Sequence, residues 1–154
     1  MKTSDIEKLS LNQFWLCDLL RYFVTGYGKP VPLELCYLLF PLVLRDKQRK
    51  ALASANVKST LYSTFLDKKE KRSLLAALQH YVESYKANAN EAIILYGNTE
   101  AIKRNKLLNS SKFDYKGELD AKIREYYKAA FNFGVIVSKE EANSCFYKLG
   151  VYEL

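Results

Sequence analysis

A chain of 154 residues, 49% hydrophobic and 27% charged, is long enough to bury one sizeable core, and this composition excludes wholesale disorder. The formal net charge of +7 favours phosphates or an acidic protein surface as partners without deciding between them. Cys17, Cys36 and Cys145 are odd in number, far apart and set in apolar surroundings with no Cys-x-x-Cys pair, so buried reduced thiols in a reducing compartment are expected.

The leading MKTSDIEKLS has no apolar signal core and neither end carries a lipidation pattern, which points to the cytoplasm. Ser4 with Glu7, and Ser10 with Gln13, have the capping-box spacing of a helix start. The second opens a helix with Leu16, Leu19, Leu20, Phe23 and Tyr27 at helical spacing, closed by Gly26 and Gly28; Trp15 is expected on its core face. Residues 29–45, KPVPLELCYLLFPLVLR, follow. Pro30 and Pro32 suit an extended lead-in and a first helical turn. Residues 35–44 are apolar apart from the break at Pro41 and expose no polar position at helical or strand spacing, so this segment is read as buried all round and central to the core. Pro41 is expected to kink or end the helix begun near Leu33. The run is too short to span a membrane, which takes roughly 20 apolar residues.

Residues 45–55 predict a charged helix with Leu52 and the alanines inward and Arg45, Lys47, Arg49 and Lys50 on its outer face. After a break at 56–59 comes a short helix anchored by Leu61, Phe65 and Leu66, then a second basic cluster, Lys68, Lys69, Lys71 and Arg72. Leu74, Leu78, Tyr81, Val82 and Tyr85 predict an amphipathic helix, with His80, the single histidine, off its stripe. EAIILYG reads as helix continuing into TEAIKRNK, which holds the third cluster, Lys103, Arg104 and Lys106. In KLLNSSKFDYK the period changes, predicting a small β-hairpin that turns at 109–111 and ends at Gly117. Leu119, Ile123, Tyr126, Ala130 and Phe133 mark another amphipathic helix, stopped at Gly134, with 135–137 as a bridge. Ser138 and Glu141 form a third capping box for a last helix carrying Ala142, Phe146 and Leu149 and stopped by Gly150. With no repeat, linker or low-complexity tract, the expectation is a mainly α protein, one helical domain over residues 1–154 with a small β-hairpin.

No active site emerges. Phosphate-cradling glycine loops are missing, and Gly26 to Lys29 is too short and follows a helix instead of preceding one. One imidazole without a second His or a Cys makes no metal site, and no nucleophile elbow accompanies it. Asp114, Glu118, Asp120 and Lys122 have the composition of a Mg²⁺-dependent nuclease centre, but acidic residues at a helix start also complement the helix dipole, and that explanation takes precedence. No catalytic residue, cofactor or metal is expected. The three basic clusters are the candidate contacts to nucleic acid or an acidic partner, although Asp46, Asp67 and Glu70 mixed into the first two also suit a solvated surface. A helical core with a basic hairpin is, further, the pairing that a winged helix brings to duplex DNA.

Taken in order, the helix opened by Leu11-Asn12 and carrying FWLCDLLRYFVTGY, the proline-punctuated PVPLELCYLLFPLVLR, the charged helix with Arg49 and Leu52, and the close at Leu149-Gly150-Val151 make a pattern. It resembles the middle component of bacterial ABC-type three-component systems, a group that overlaps the small accessory subunit of Lamassu-type anti-phage defence complexes. Gln13 departs from it, standing where that family would have proline. The resemblance implies a non-enzymatic subunit that bridges an SMC- or Rad50-like ATPase, itself a dimer, and a nuclease-type effector, with DNA reached through the complex and no membrane. The aromatic content of 14%, including twelve Tyr, agrees with a protein rich in interfaces.

Overall fold

The structure, a computed structural model, describes residues 2–9 and 12–154. A short helix α1 (Thr3–Leu9) leads to α2 (Gln13–Tyr27). Ser4 lies inside α1 instead of capping it, and Ser10 falls outside the described residues. The cap of α2 is Asn12, whose Oδ1 accepts the backbone N–H of Phe14 at 2.9 Å and of Trp15 at 3.4 Å. At the other end Gly28 takes the left-handed conformation, φ 76°, that a β-carbon disfavours.

The deepest seam of the protein runs between α2 and α7 (Ala121–Val137). Both faces are apolar at helical spacing, with Leu16, Leu19, Leu20 and Phe23 meeting Ala129, Ala130, Phe133 and Ile136, all buried. Phe23 stacks on Phe133 and Tyr22 on Tyr127, with ring centroids 5.4 and 4.3 Å apart. Gly26 and Gly134, expected as helix stops, lie inside their helices and serve this crossing. A β-carbon on Gly26 would run into the Phe131 carbonyl, and one on Gly134 into the Phe23 carbonyl with the Tyr27 nitrogen at 2.7 Å. Residues 135–137 accordingly form the last turn of α7.

β1 (Val31–Pro32) is the extended lead-in expected of two prolines, and a 3₁₀ turn (Leu33–Leu35) passes into α3 (Cys36–Val43). Leu35, Cys36, Leu38, Leu39, Phe40, Leu42 and Val43 are fully buried, as an apolar run without polar relief requires. Pro41 sits within α3, which ends two residues later. α3 packs on α6 (Leu78–Thr99), and α4 (Asp46–Ala53) packs on α7.

The short helix expected before the second basic cluster is a π-helical turn (Tyr62–Leu66) that buries Leu61 and Phe65; one turn of helix, α5 (Lys69–Arg72), and a 3₁₀ turn (Ser73–Leu75) follow. Ala77, at φ 59°, starts α6 from a left-handed position, which costs a residue with a β-carbon about 1–2 kcal/mol. Leu74 therefore precedes the helix on which Leu78, Val82 and Tyr85 sit, and α6 runs on through EAIILYG as expected.

The helix does not continue into TEAIKRNK. Residues 101–108 form the hairpin, β2 (Ala101–Lys103) with β3 (Lys106–Leu108), in register Ala101↔Leu108, Ile102↔Leu107 and Lys103↔Lys106. Its turn is Arg104-Asn105, both left-handed at φ 51° and 59°, the pair of conformations that a two-residue type I′ turn demands. The expected turn at 109–111 lies outside it. β1 pairs antiparallel with β3, completing a sheet ordered β1-β3-β2. Asn109 anchors its base, donating to the Arg21 carbonyl and to Thr25 Oγ1, each at 2.9 Å, while the buried Tyr96 hydroxyl donates to the Leu108 carbonyl at 2.6 Å. α8 (Ala142–Leu149) seats Cys145 and Leu149 on the core and stops at left-handed Gly150. Ser138 caps no helix start; it ends α7 and donates to the Val135 carbonyl at 2.7 Å, and the N-cap of α8 is Glu141, which makes no side-chain cap.

Alanine at a helix-interior glycine ordinarily gains about 1 kcal/mol from propensity. At Gly97, where the nearest new neighbour is the flexible Ile102 Cδ1 at 3.2 Å, Gly97→Ala is expected to keep most of that gain. At Gly134 the sign reverses: Gly134→Ala should cost about 3 kcal/mol, because two backbones must separate. Urea unfolding midpoints of the two variants read the contrast.

Candidate functional site

The three basic clusters differ in what their cations already hold. In the first, Arg49 belongs to the interior: it is 7% exposed, its Nη2 lies 2.7 Å from Asp46 Oδ1, its Nε lies 2.9 Å from Glu125 Oε1, and its guanidinium covers the Tyr126 ring at 4.0 Å. This corrects its assignment to the outer face of α4. Arg45 is half-buried with its guanidinium 3.7 Å over the Tyr81 ring, and Lys50 pairs with Asp46 at 3.1 Å. Lys47 alone of the four is exposed and unpaired. Asp46, facing Lys50 and Arg49, has its carboxyl held below the ordinary carboxylate range, Lys50 being the main cause.

In the second cluster Lys71 donates to the Ser63 carbonyl at 2.6 Å and pairs with Asp67 at 3.1 Å, and Arg72 donates to the Leu66 carbonyl at 3.0 Å. Lys68 and Lys69 are exposed without partners. These bonds tie α5 to the π-helical turn.

The third cluster is the exception. Lys103, Arg104 and Lys106 are exposed at the hairpin tip, and none pairs with a carboxylate. Lys103 and Lys106 stand directly opposite each other in the ladder, a like-charge pairing that weakens a hairpin. Arg104 occupies a left-handed position that Asn or Gly fills at less cost. The tip thus carries local costs to hairpin stability. At the base of the hairpin, the end away from the tip, a cleft of about 390 Å³ opens between the end of α2 and the loop after β3, with Lys29 and Lys112 among its walls together with Ser110 and Ser111, and no carboxylate among them. Lys29 and Lys112 are exposed there, Lys29 with its ammonium 5.5 Å over the Tyr27 ring, and the nearby Glu100 carboxylate accepts the Ser110 N–H at 2.9 Å. Neither lysine belongs to a cluster in the sequence, and only the pairing of β1 with β3 brings Lys29 to the hairpin.

The acidic residues before α7 are engaged by backbone groups. Asp120 caps α7, accepting from Lys122 N at 2.9 Å and Ile123 N at 3.0 Å; Asp114 accepts from Lys116 N, and Glu118 from the Asp120 N–H. Those three carboxylates bond backbone groups, and among the described residues no cluster of His, Cys, Asp or Glu could hold a metal ion. His80 is exposed and meets Tyr81 edge-on. The three thiols are free and buried. Burial pushes the Cys17 and Cys36 thiols up and Cys145 to about 11, and raises Tyr127 to about 12. No described helix is long and apolar enough to cross a membrane.

Two outcomes follow. Arg49→Ala removes a buried cation from two carboxylates and an aromatic face, and should cost about 2–4 kcal/mol in urea unfolding, whereas Lys47→Ala should stay within about 0.5 kcal/mol. Because burial raises the folded pKa of these thiols and tyrosines, the unfolded chain loses its protons first. Their contribution to stability is fully present below an ordinary thiol value of 9.0 and is lost as pH rises from there through about 11 to 12. Denaturant midpoints should be flat across this contribution below pH 9 and fall above it.

The family model described as ABC-three component (ABC-3C) system Middle Component 3 matches residues 1–153. No curated protein and no solved structure matches the chain.

Proposed function

The chain belongs to the middle component 3 family of ABC three-component systems, and on that premise we propose that it is a non-enzymatic bridging subunit of a cytoplasmic anti-phage complex of the Lamassu type. Its partners in this reading are an SMC- or Rad50-like ATPase dimer and a nuclease-type effector, and the subunit holds the effector against the ATPase until DNA engagement changes their arrangement. The observation that carries the reading is the family match, which supports an accessory role in a multi-component system. The hairpin adds a physical element: exposed, unpaired cations on a two-residue turn suit the phosphates of DNA held by the complex.

A stand-alone winged-helix regulator is the second reading, favoured by the β1-β3-β2 strand order and by a long helix directly before the basic hairpin. In that architecture the helix before the hairpin is the natural reader of the major groove. Its exposed residues here include Glu83, Glu91 and Ile94 beside a single Lys86, a face without the positive charge that phosphate contact needs.

Co-expression with the two other components of its system and purification through a tag on this chain tests the first reading. It expects recovery of an SMC-like ATPase and an effector at moderate salt; isolation of the chain alone, with DNA that salt removes, would instead establish the regulator. Lys103→Glu separates folding from contact at the hairpin. Opposite Lys106 it replaces repulsion with attraction and should leave stability unchanged or raised by a few tenths of a kcal/mol, while duplex DNA retention by the complex falls and its salt dependence becomes shallower. Unchanged DNA retention would remove the hairpin from the interface.

A further inference from the structure

The N-terminal end of α6, remote from the hairpin, carries a second surface that the family assignment does not describe. A groove of about 390 Å³ opens between the start of α6, the turn before it and α8. Leu66, Leu75, Ala76, Ala77 and Tyr147 give it apolar walls; Arg72 and Lys148 line it as well, and no carboxylate does. Lys148 is paired with Glu140 at 2.8 Å, and Arg72 donates one N–H of its guanidinium to the Leu66 carbonyl, leaving the other nitrogens free. Lys68 and Lys69, on and beside the same helical turn as Arg72, add two exposed, unpartnered cations. An apolar floor with a surplus of positive charge complements a ligand that is apolar on one side and acidic on the other.

The backbone around the groove is also irregular. Leu66 closes the π-helical turn, a form that recurs at functional positions. Ala77 holds a left-handed conformation without the glycine that would relieve it. Tyr62 and Tyr147 are exposed, the latter to 88%, and Tyr is a residue type that anchors protein interfaces. The groove is walled by helices and turns with no strand edge to extend, and its apolar walls suit the apolar face of an inserted helix.

We propose that this groove docks an acidic amphipathic helix contributed by another subunit of the three-component system. The proposal rests on the bridging reading and gives it a geometry. α6 has 22 residues, about 33 Å at roughly 1.5 Å per residue, with the groove at its first turn and the hairpin directly after its last. One rigid helix therefore separates a protein-docking end from a polyanion-facing end, and both can be occupied together.

The test uses the co-expressed complex with Tyr147 replaced by the photo-crosslinker p-benzoylphenylalanine, followed by mass spectrometry of the linked peptide. A crosslink to an acid-rich helical segment of another component is expected. Arg72→Glu, and Lys68→Glu with Lys69→Glu, should weaken association with that component at least tenfold, whereas Lys103→Glu leaves it unchanged. A crosslink to a second copy of this chain, to nucleic acid, or to nothing in an otherwise intact complex overturns the docking proposal while sparing the bridging reading. Failure of the unmodified chain to assemble with either component overturns both.

Discussion

The close crossing of α2 and α7 at Gly26 and Gly134 is the constraint from which the rest of the architecture is built. Each glycine takes the other helix's backbone carbonyl into the space where a β-carbon would stand. With the axes that close, the large side chains must lie to either side of the contact, and the Phe23–Phe133 and Tyr22–Tyr127 stacks do so. Drawing α7 onto one flank of α2 leaves the other flank for α6, and the apolar α3 fills the space against α6. The constraint reaches the hairpin through hydrogen bonds: α2 presents the Arg21 carbonyl and Thr25 Oγ1 to Asn109, and α6 presents Tyr96 to Leu108, so the base of β3 is held by both helices.

This architecture also decides which positive charges are available. A net charge of +7 says nothing about distribution, and the fold divides its cations sharply. Arg49 is enclosed where α4 meets α7 because Asp46, Glu125 and the Tyr126 face together compensate for its loss of water. Lys71 and Arg72 hold α5 against the preceding turn. The hairpin cations have no such internal task. Their lack of carboxylate partners leaves a field that only solvent ions screen, and close approach to phosphates would gain most where no internal pair must first be broken.

Much of the fold was legible in the chain. The apolar stripes of α2, α7 and α8, the buried run of α3 and the left-handed stops at Gly28 and Gly150 follow from periodicity and from the freedom of glycine, except that Leu119, expected on the stripe of α7, stands before its Asp120 cap and is exposed. What escaped depends on contacts distant in sequence. Gly26 and Gly134 look like stops until the partner helix is in place, and Arg49 looks like an outer-face cation until Glu125, 76 residues away, lies beside it. The hairpin was expected one turn too late, because Asn109-Ser110-Ser111 carries the residue types of a turn whereas Arg104-Asn105 carries only half of them. Of the candidate contact surface, Lys103, Arg104 and Lys106 could be named from their clustering. Lys29 and Lys112, at the hairpin's base, could not, since strand pairing alone brings Lys29 to β3.

Local rules are obeyed along most of the chain, and the places where they are broken are informative. Asn12 and Asp120 cap their helices, the long apolar runs are buried, and left-handed glycines end α2 and α8. The described non-glycine residues with positive φ are Ala77, Arg104 and Asn105, one at the start of α6 and two just beyond its end. The like-charge pair Lys103↔Lys106 belongs to the same far end. A sequence under selection for folding alone would place Gly or Asn at 77 and 104 and opposite charges across the hairpin, substitutions that touch no core residue. Such costs persist where another demand outweighs them. Both are found at the ends of one helix, the ends at which the proposed docking groove and the basic hairpin stand.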